Sequence, residues 1–294
     1  MSWLRDSLRE FFHKGDLLLL GLCTAASLYG LLLIFSATRY IGGYRNIIVQ
    51  SAAIALGIVV YIFLSSVDFE LFTEKSWKLL LIGSLGFILL TLTPLGISVG
   101  GNRSWLSIPG FPVNIQPAEI AKLSFVLLFS LQCTRLQERG ISRPGSVFQL
   151  VGHTGIMCAA IAVASGDFGM ALTYLVIFVV VSWSAGVKKR WFLLAILLSA
   201  ALLFFIWPHV KDIYFFRRIT VVIDHLTGNP DTIWEQTQGV GYQQTRSLLA
   251  IGSGGLFGMG YLQGTQTQSK STVSIIDRET DEIFAVCGEE LGLV

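Results

Sequence analysis

Seven apolar runs separated by short polar segments dominate the pattern of this 294-residue chain. A helix needs about 20 mainly apolar residues to cross the ~30 Å hydrocarbon layer of a membrane. An eighth run begins near Ile283, and the seven complete runs lie at about residues 17–37, 46–67, 77–95, 117–133, 148–164, 168–187 and 191–207. The pattern predicts an all-α polytopic membrane bundle with seven spans and the start of an eighth.

The composition agrees with a membrane protein and argues against two other classes. Apolar residues make up 53% of the chain, charged residues make up 14%, and the mean hydropathy is +0.65. An ordinary soluble domain is less apolar. The net charge of +2 is too small to indicate nucleic-acid binding. The chain is therefore expected to have membrane lipids, and not nucleic acid, as partners.

Lysine and arginine residues predict which ends of the spans face the cytoplasm. Cytoplasmic loops of membrane proteins carry an excess of both residues. Here the N-terminus and alternate loops hold Arg5, Arg9, Lys14, Lys75, Lys78, Arg135, Arg139, Arg143, Lys188, Lys189 and Arg190. The N-terminus is thus predicted to be cytoplasmic. Residues 101–114, Asp167 and a large polar loop at 208–281 then lie on the outer side.

Charged residues at the outer end of the fourth run form the first candidate site. Glu119 and Lys122 share one helix face, and ionisable residues within a span are functional candidates because their insertion is costly. Pro117 fits the first turn of a helix, with Gln116 just before it. The positive end of that helix, together with Lys122 and Arg103, would attract a phosphate or pyrophosphate. The open alternative is that Glu119 and Lys122 form only a structural ion pair.

Two further polar features fall on the predicted outer side. Asp167 either caps the helix that follows it or projects into a polar cavity. An acidic cluster precedes the eighth run and contains Asp277, Glu279, Asp281 and Glu282. Its carboxylates could supply a general base or hold a divalent cation, or they could form the solvated start of a helix.

These segments together resemble the SEDS family of bacterial cell-wall glycosyltransferases. The family patterns G-[AS]-x-R-W-[IL] and Q-P-[SA]-E-[ILF]-x-K are similar to residues 101–106 and 116–122, with the arginine displaced by one position. The family's D-x-G turn, glycine-rich run, H-T-D-F-I-F-A string and G-E-E-L-G string resemble residues 167–169, 241–243 with 250–260, 279–285 and 288–292. The string at 264–268 is more similar to the RodA branch than to the FtsW branch.

The resemblance implies an enzyme that polymerises lipid II, the undecaprenyl-pyrophosphate-linked disaccharide peptide. The reaction is expected at the outer face of the bacterial cytoplasmic membrane, during cell elongation. Asp281 would be the general base, and Arg103 and Lys122 would bind the pyrophosphate while Glu119 orients Lys122. A class B penicillin-binding transpeptidase is the implied protein partner.

The remaining implied substrate-binding residues are Trp105, Gln116 and Asp167. Asp167 would shape the cavity or bind a cation, and Mg²⁺ or another divalent cation is the cofactor that the resemblance allows. Family members resemble ten-helix bundles, so residues 1–294 are expected to form a single membrane domain that lacks the last helices.

Departures from the family pattern keep other functions open. Glu279 and Glu282 stand where the family usually has histidine and phenylalanine, and Asn114 stands where several members have arginine. The alternatives are a lipid II flippase, a division or sporulation homologue, and a catalytically altered scaffold for a transpeptidase.

Overall fold

The computed structural model describes residues 11, 15–42, 44–99, 101–110, 113–210, 221–223, 226–227, 239, 241–270 and 274–293. The chain divides into two compact units. The first comprises Met1–Val67 and Val210–Val294, and the second comprises Asp68–His209.

Helices form most of both units. In chain order they are α1 (Leu17–Thr38), α2 (Arg45–Leu64), α3 (Phe69–Leu89), α4 (Pro117–Arg139), α5 (Pro144–Ser165), α6 (Phe168–Ser184), α7 (Lys189–Val210), α8 (Tyr242–Gly254) and α9 (Ile283–Glu290). Short 3₁₀ turns at Arg39–Ile41 and Leu90–Leu92 extend α1 and α3. The first unit holds α1, α2, α8 and α9, and the second holds α3 to α6 and nearly all of α7.

The helices confirm the predicted membrane bundle. Among the described residues, α1, α2, α5, and α3 extended to Leu92, are long and apolar enough to cross a membrane, and α6 is shorter at 17 residues. The helix α4 matches the fourth predicted run, but polar and charged residues lower its hydropathy. No residue of α2 is buried within the protein, as expected for a helix surrounded by lipid tails.

Several helix boundaries differ from the predicted runs, and two of these differences have a clear local cause. Helix α3 begins at Phe69, well before residue 77, because the Asp68 carboxylate accepts a hydrogen bond from the Leu71 amide at 3.0 Å and caps it. The first turns of α3 are polar and were therefore outside the apolar run. Helix α9 begins at Ile283 as predicted but ends at Glu290, where Gly292, with φ +87°, turns the chain.

A small hairpin, which the sequence did not predict, precedes α4. Strand β1 (Gly96–Val99) pairs antiparallel with β2 (Asn102–Leu106), with Ile97 opposite Trp105. Leu106 also exchanges two backbone hydrogen bonds with Ile115, at 2.7 and 3.0 Å. This extra pairing ties the hairpin to the residues that lead into α4.

Aromatic side chains fill the core of the second unit. Phe125 and Phe129 of α4 are fully buried, and the Phe125 ring lies 4.9 Å from that of Tyr174 on α6. The buried Tyr174 hydroxyl donates to the Ala118 carbonyl at 2.8 Å. This bond attaches the first turn of α4 to α6 and so fixes the two helices against each other near their N-terminal ends.

Two buried glutamates organise the first unit. Glu289 is 0% exposed and accepts four hydrogen bonds, from the Gln266 amide (2.7 Å), the Thr267 amide (2.8 Å) and the Thr265 and Thr267 hydroxyls (3.1 and 2.7 Å). Hydrogen bonds to a charged acceptor are stronger than those between neutral groups. The carboxylate therefore holds the preceding loop against the end of α9.

Glu290 is 1% exposed and makes a second set of bonds. Its carboxylate oxygens accept hydrogen bonds from the Leu262 and Gly264 amides at 3.0 and 3.3 Å, the Ser36 hydroxyl at 2.6 Å and the Gln268 side-chain amide at 2.9 Å. Because Ser36 belongs to α1, this carboxylate joins α1, the loop and α9.

Glycine allows the loop to approach α9 this closely. A Cβ on Gly264 would lie 2.6 Å from a Glu289 carboxylate oxygen, and one on Gly258 would lie 2.3 Å from the Glu290 carbonyl. These glycines therefore allow the loop and the segment after α8 to pack directly against α9.

We expect Glu289→Ala to destabilise the protein more than most single substitutions. The change leaves the buried amides of Gln266 and Thr267 without their acceptor, at about 1–3 kcal/mol each. Thermal unfolding in detergent should show a Tm lower by at least about 5 °C. The control is Glu279→Ala, since no hydrogen bond to the Glu279 side chain occurs among the described residues, and its Tm should stay near that of the parent. Equal Tm values for the two variants would contradict a stabilising role for the Glu289 bonds.

Candidate functional site

Six of the predicted site residues lie in the second unit, and Asp281 lies in the first. In the second unit, Arg103 projects from β2 toward the turn before β1. Its guanidinium donates to the Thr93 carbonyl at 2.8 Å and to the Gly96 carbonyl at 3.3 Å. Arg103 is exposed, so part of its donor fork remains accessible while the rest fixes the hairpin.

Trp105 lies on the opposite face of β2 from the buried Ser104 and Leu106, and is half-buried. The hairpin lies near the α5–α6 turn, where a Cβ on Gly166 would be 3.8 Å from the Asn102 side-chain oxygen. Trp105 and Arg103 are therefore carried by a strand that lies near the turn between α5 and α6.

Gln116 and Asp167 lie in contact. The Asp167 carboxylate caps α6 by accepting from the Met170 amide at 2.9 Å, which confirms the capping prediction. Its other oxygen accepts from the Gln116 side-chain amide at 3.2 Å. Gln116 itself makes no capping bond to α4. The pair thus joins the start of α4 to the start of α6 through polar groups.

Glu119 and Lys122 form the predicted ion pair on α4. The Lys122 Nζ lies 2.8 Å from a Glu119 carboxylate oxygen, and their side chains are 25% and 53% exposed. Such exposed pairs contribute little to stability, about 0–1 kcal/mol. The geometry is compatible with both readings of the pair, as an orienting contact for Lys122 or as a structural bridge.

In the first unit, Asp281 is exposed, and no hydrogen bond or ion pair to its carboxylate occurs among the described residues. Its backbone lies in a turn closed by the Thr280 and Glu282 amides, which both donate to the Asp277 carbonyl at 3.1 Å. Glu282, by contrast, accepts a short hydrogen bond from the Ser247 hydroxyl of α8. Neighbouring carboxylates of the acidic cluster therefore differ in their contacts.

Arg278 fixes the segment that leads to Asp281, a role that the sequence analysis did not assign. It is 3% exposed, its guanidinium lies 3.7 Å from the centre of the Tyr40 ring, and no carboxylate pairs with it in the described part of the chain. The guanidinium donates instead to the Ser274 hydroxyl and to the carbonyls of Gln266, Thr267 and Ser269. By donating to several carbonyls, a buried arginine holds backbone segments that are separated in the sequence in fixed positions.

Thr267 connects Arg278 to Glu289, because its carbonyl accepts from the arginine while its amide and hydroxyl donate to the glutamate.

Burial and the nearby Glu290 carboxylate raise the pKa of Tyr261, whose hydroxyl donates to the Leu32 carbonyl at 2.9 Å. The G-E-E-L-G string was the sequence signal for the buried Glu289 and Glu290. The residues that bond to these two glutamates are distant in the sequence and could not be identified from it.

The second unit therefore offers cations and a helix N-terminus to an anion, and the first offers a free carboxylate on a fixed segment. Within the described residues, no group of three or more histidine, cysteine, aspartate or glutamate side chains is close enough to hold a metal ion.

Comparisons with known proteins agree with the resemblance of the motifs. The chain is 28% identical over 289 residues to the probable peptidoglycan glycosyltransferase FtsW of Geobacter metallireducens, covering 96% of this chain and 72% of that protein. It is 30% identical to stage V sporulation protein E of Bacillus subtilis, covering 95% and 73% of the two chains. It is also 30% identical to the peptidoglycan glycosyltransferase MrdB of Escherichia coli, covering 92% and 68%.

A solved structure supports the fold. One chain from a study of how a peptidoglycan synthase complex coordinates polymerization and crosslinking aligns with a TM-score of 0.68 at 22% identity, covering 93% of this chain and 70% of that chain. The relatives carry names from several branches, so they do not separate the RodA branch from the others. Residues 16–294 match the cell cycle protein family of FtsW, RodA and SpoVE. The chain belongs to this family, which is the SEDS family that its motifs resemble.

Proposed function

We propose that this protein is a peptidoglycan glycosyltransferase that polymerises lipid II at the outer face of the bacterial cytoplasmic membrane, during cell elongation. The acceptor sugar's 4-hydroxyl attacks the donor's anomeric carbon. A new glycosidic bond forms as the bond to undecaprenyl pyrophosphate breaks, and the hydroxyl proton passes to the Asp281 carboxylate. The leaving group retains both electrons of the broken bond and departs as the pyrophosphate anion.

Family membership and the names of the relatives support a glycosyltransferase of peptidoglycan synthesis. The assignment of the base depends on the Asp281 carboxylate, which is exposed and makes no hydrogen bond or ion pair with a described residue. A general base must reach the proton it removes. The turn closed on Asp277 and the buried Arg278 hold its backbone in place, so the base is positioned before substrate binds.

The residues of the second unit bind the substrate in this proposal. Lys122, oriented by Glu119, attracts the pyrophosphate at the N-terminus of α4. The part of the Arg103 guanidinium that is free of Thr93 and Gly96 adds a second cation. Trp105 offers an apolar surface for the sugar or lipid, and is placed by the same strand.

Gln116 and Asp167 shape the cavity by their mutual hydrogen bond. A divalent cation remains a prediction. The described side chains do not form a group able to hold one by themselves, and the proposed step does not use a cation.

The remaining parts of the proposal concern the orientation of the chain in the membrane, its domain organisation and its protein partner. The N-terminus faces the cytoplasm, as the distribution of lysine and arginine predicts. The chain forms one SEDS-type domain and acts beside a class B penicillin-binding transpeptidase. One solved structure with a similar fold comes from a study of polymerization and crosslinking by a peptidoglycan synthase complex, which supports such a partner.

The central experiment measures glycan chain formation from purified lipid II by the protein in liposomes, with and without the transpeptidase. We expect Asp281→Asn to lower the rate about 10²–10⁴-fold, because the amide keeps the shape of the side chain but cannot take a proton. Lipid II binding and Tm should be close to those of the parent, since Asp281 has no described structural contact.

Glu279→Gln is the matched control for this test, because it removes a nearby carboxylate that also lacks a described hydrogen bond. It should retain most of the polymerisation rate. A rate for Asp281→Asn close to the parent's would move the base to another carboxylate. If the parent moves labelled lipid II across a sealed liposome and forms no glycan, it is a flippase.

The anion site predicts different results for two changes at Lys122. Lys122→Ala should weaken lipid II binding roughly tenfold or more, as expected for the loss of a charge-assisted contact, whereas Lys122→Arg should stay within a few-fold of the parent. Binding of fluorescent lipid II in detergent would measure both. If both variants bind like the parent while Glu119→Ala lowers the Tm, the pair is only structural.

Two changes at Asp167 separate its shape from its charge. Asp167→Ala removes the cap of α6 and should cost about 1 kcal/mol. Asp167→Asn keeps a capping oxygen, and Gln116 can turn its amide to present an acceptor, so its Tm and polymerisation rate should remain close to the parent's. An Asp167→Asn variant that is fully stable but inactive would show that the negative charge itself is required, which contradicts a role confined to shaping the cavity.

A further inference from the structure

A groove of about 660 Å³ lies in the second unit between α3, α4 and α5. Leucine and isoleucine supply six of its thirteen lining residues, including Leu81, Leu131 and Ile156, and most of its wall is apolar. One end is different, because Arg135 and Arg139 line the groove there beside Trp77. The groove is thus apolar along its length and cationic at one end.

The two arginines are exposed cations, with the exposed Glu138 between them in the sequence. They lie four residues apart on one face of α4, both are exposed, and neither makes an ion pair or hydrogen bond among the described residues. This differs from Lys122 at the other end of α4, which is paired with Glu119. An anion is the ligand that two neighbouring free guanidinium groups recognise.

The length of the groove fits one leaflet of a bilayer. From Leu128 to Arg139, both of which line it, α4 rises about 16 Å at 1.5 Å per residue. Half of a hydrocarbon core is about 15 Å. Trp77 at the cationic end is of the residue type enriched at the membrane interface. The arginines therefore lie at headgroup level while the leucines lie at the level of the acyl chains.

A polar contact one turn inward from Arg135 links two of the helices that line the groove. The Gln132 side chain on α4 lies 2.8 Å from His153 Nδ1 on α5, and both residues line the groove. This link fixes the spacing of α4 and α5 one turn inward from Arg135. The cavity is thus part of the folded bundle.

We propose that this groove binds an anionic phospholipid, with its phosphate at Arg135 and Arg139 and an acyl chain along the apolar wall. A basic pocket between spans at the end predicted to be cytoplasmic is a typical site for an anionic headgroup. The site is separate from the proposed polymerisation reaction, which uses the opposite end of α4. Its ligand is a lipid of the surrounding membrane and not the lipid-linked substrate.

The test uses quenching of tryptophan fluorescence by lipids with brominated acyl chains. The full-length protein is placed in phosphatidylcholine nanodiscs with increasing fractions of brominated phosphatidylglycerol or brominated phosphatidylcholine. The chain has seven tryptophans, so the difference between the parent and Trp77→Phe isolates the signal from the groove. We expect phosphatidylglycerol to quench Trp77 at a clearly lower fraction than phosphatidylcholine.

The arginines should account for this preference. Each charge removed should reduce it roughly fivefold, so the double variant Arg135→Gln/Arg139→Gln should respond equally to both lipids. Arg135→Lys/Arg139→Lys should retain much of the preference. The matched control is Lys188→Gln/Arg190→Gln, which removes two charges near the same membrane surface but outside the groove, and should behave like the parent. Tm values establish that each variant is folded.

Three results would overturn the proposal. Equal quenching of the parent by both lipids would mean that the groove has no headgroup preference. Loss of the preference in the Lys188/Arg190 variant as well would assign it to general surface charge. Displacement of brominated phosphatidylglycerol by equimolar undecaprenyl phosphate would make a polyprenyl lipid the occupant.

Discussion

Burial of two adjacent carboxylates is the constraint on which the first unit depends. Glu289 and Glu290 have no cationic partner among the described residues, so backbone amides, hydroxyls and one side-chain amide must solvate them. Burying a charge without such partners would cost many kcal/mol. The loop can form only in the shape that directs these donors inward, and the glycines of that loop make the shape possible. The carboxylates therefore determine the path of the chain before α9.

The second unit is held together by a different principle. Its core is aromatic and aliphatic, and polar contacts join α4 to α6 near their N-terminal ends, where Tyr174 bonds Ala118 and Gln116 bonds Asp167. Lipid provides no hydrophobic driving force between helices, so interhelical hydrogen bonds and close packing must fix their positions. The residues proposed to bind substrate are thus supported by the same contacts that align α4 with α6.

The sequence predicted local features well and distant contacts poorly. Apolar runs give the spans because their length is set by the bilayer, and Asp167 was recognisable as a cap because its acceptor is three residues away. The partners of Arg103 could not be found this way, since two backbone carbonyls carry no signal of residue type. Arg278 illustrates the same limit, because its partners are backbone carbonyls, the Ser274 hydroxyl and an aromatic ring, and no sequence pattern marks them. The groove likewise could not be predicted from the sequence, because it forms only where three helices pack together.

The contacts of Asp281 differ from those of Glu282 and Glu289, and this difference gives the proposed base a physical rationale. The Glu282 carboxylate accepts a hydrogen bond from Ser247, and the buried Glu289 accepts hydrogen bonds from the loop, so both carboxylates have a structural role. Asp281 itself lies between two other fixed points, because Arg278 is anchored three residues before it and α9 begins two residues after it. Fixing the backbone on both sides limits the space that the free carboxylate can search, which lowers the entropic cost of meeting a substrate hydroxyl. Buried charges that appear purely structural thus contribute to the readiness of the exposed one.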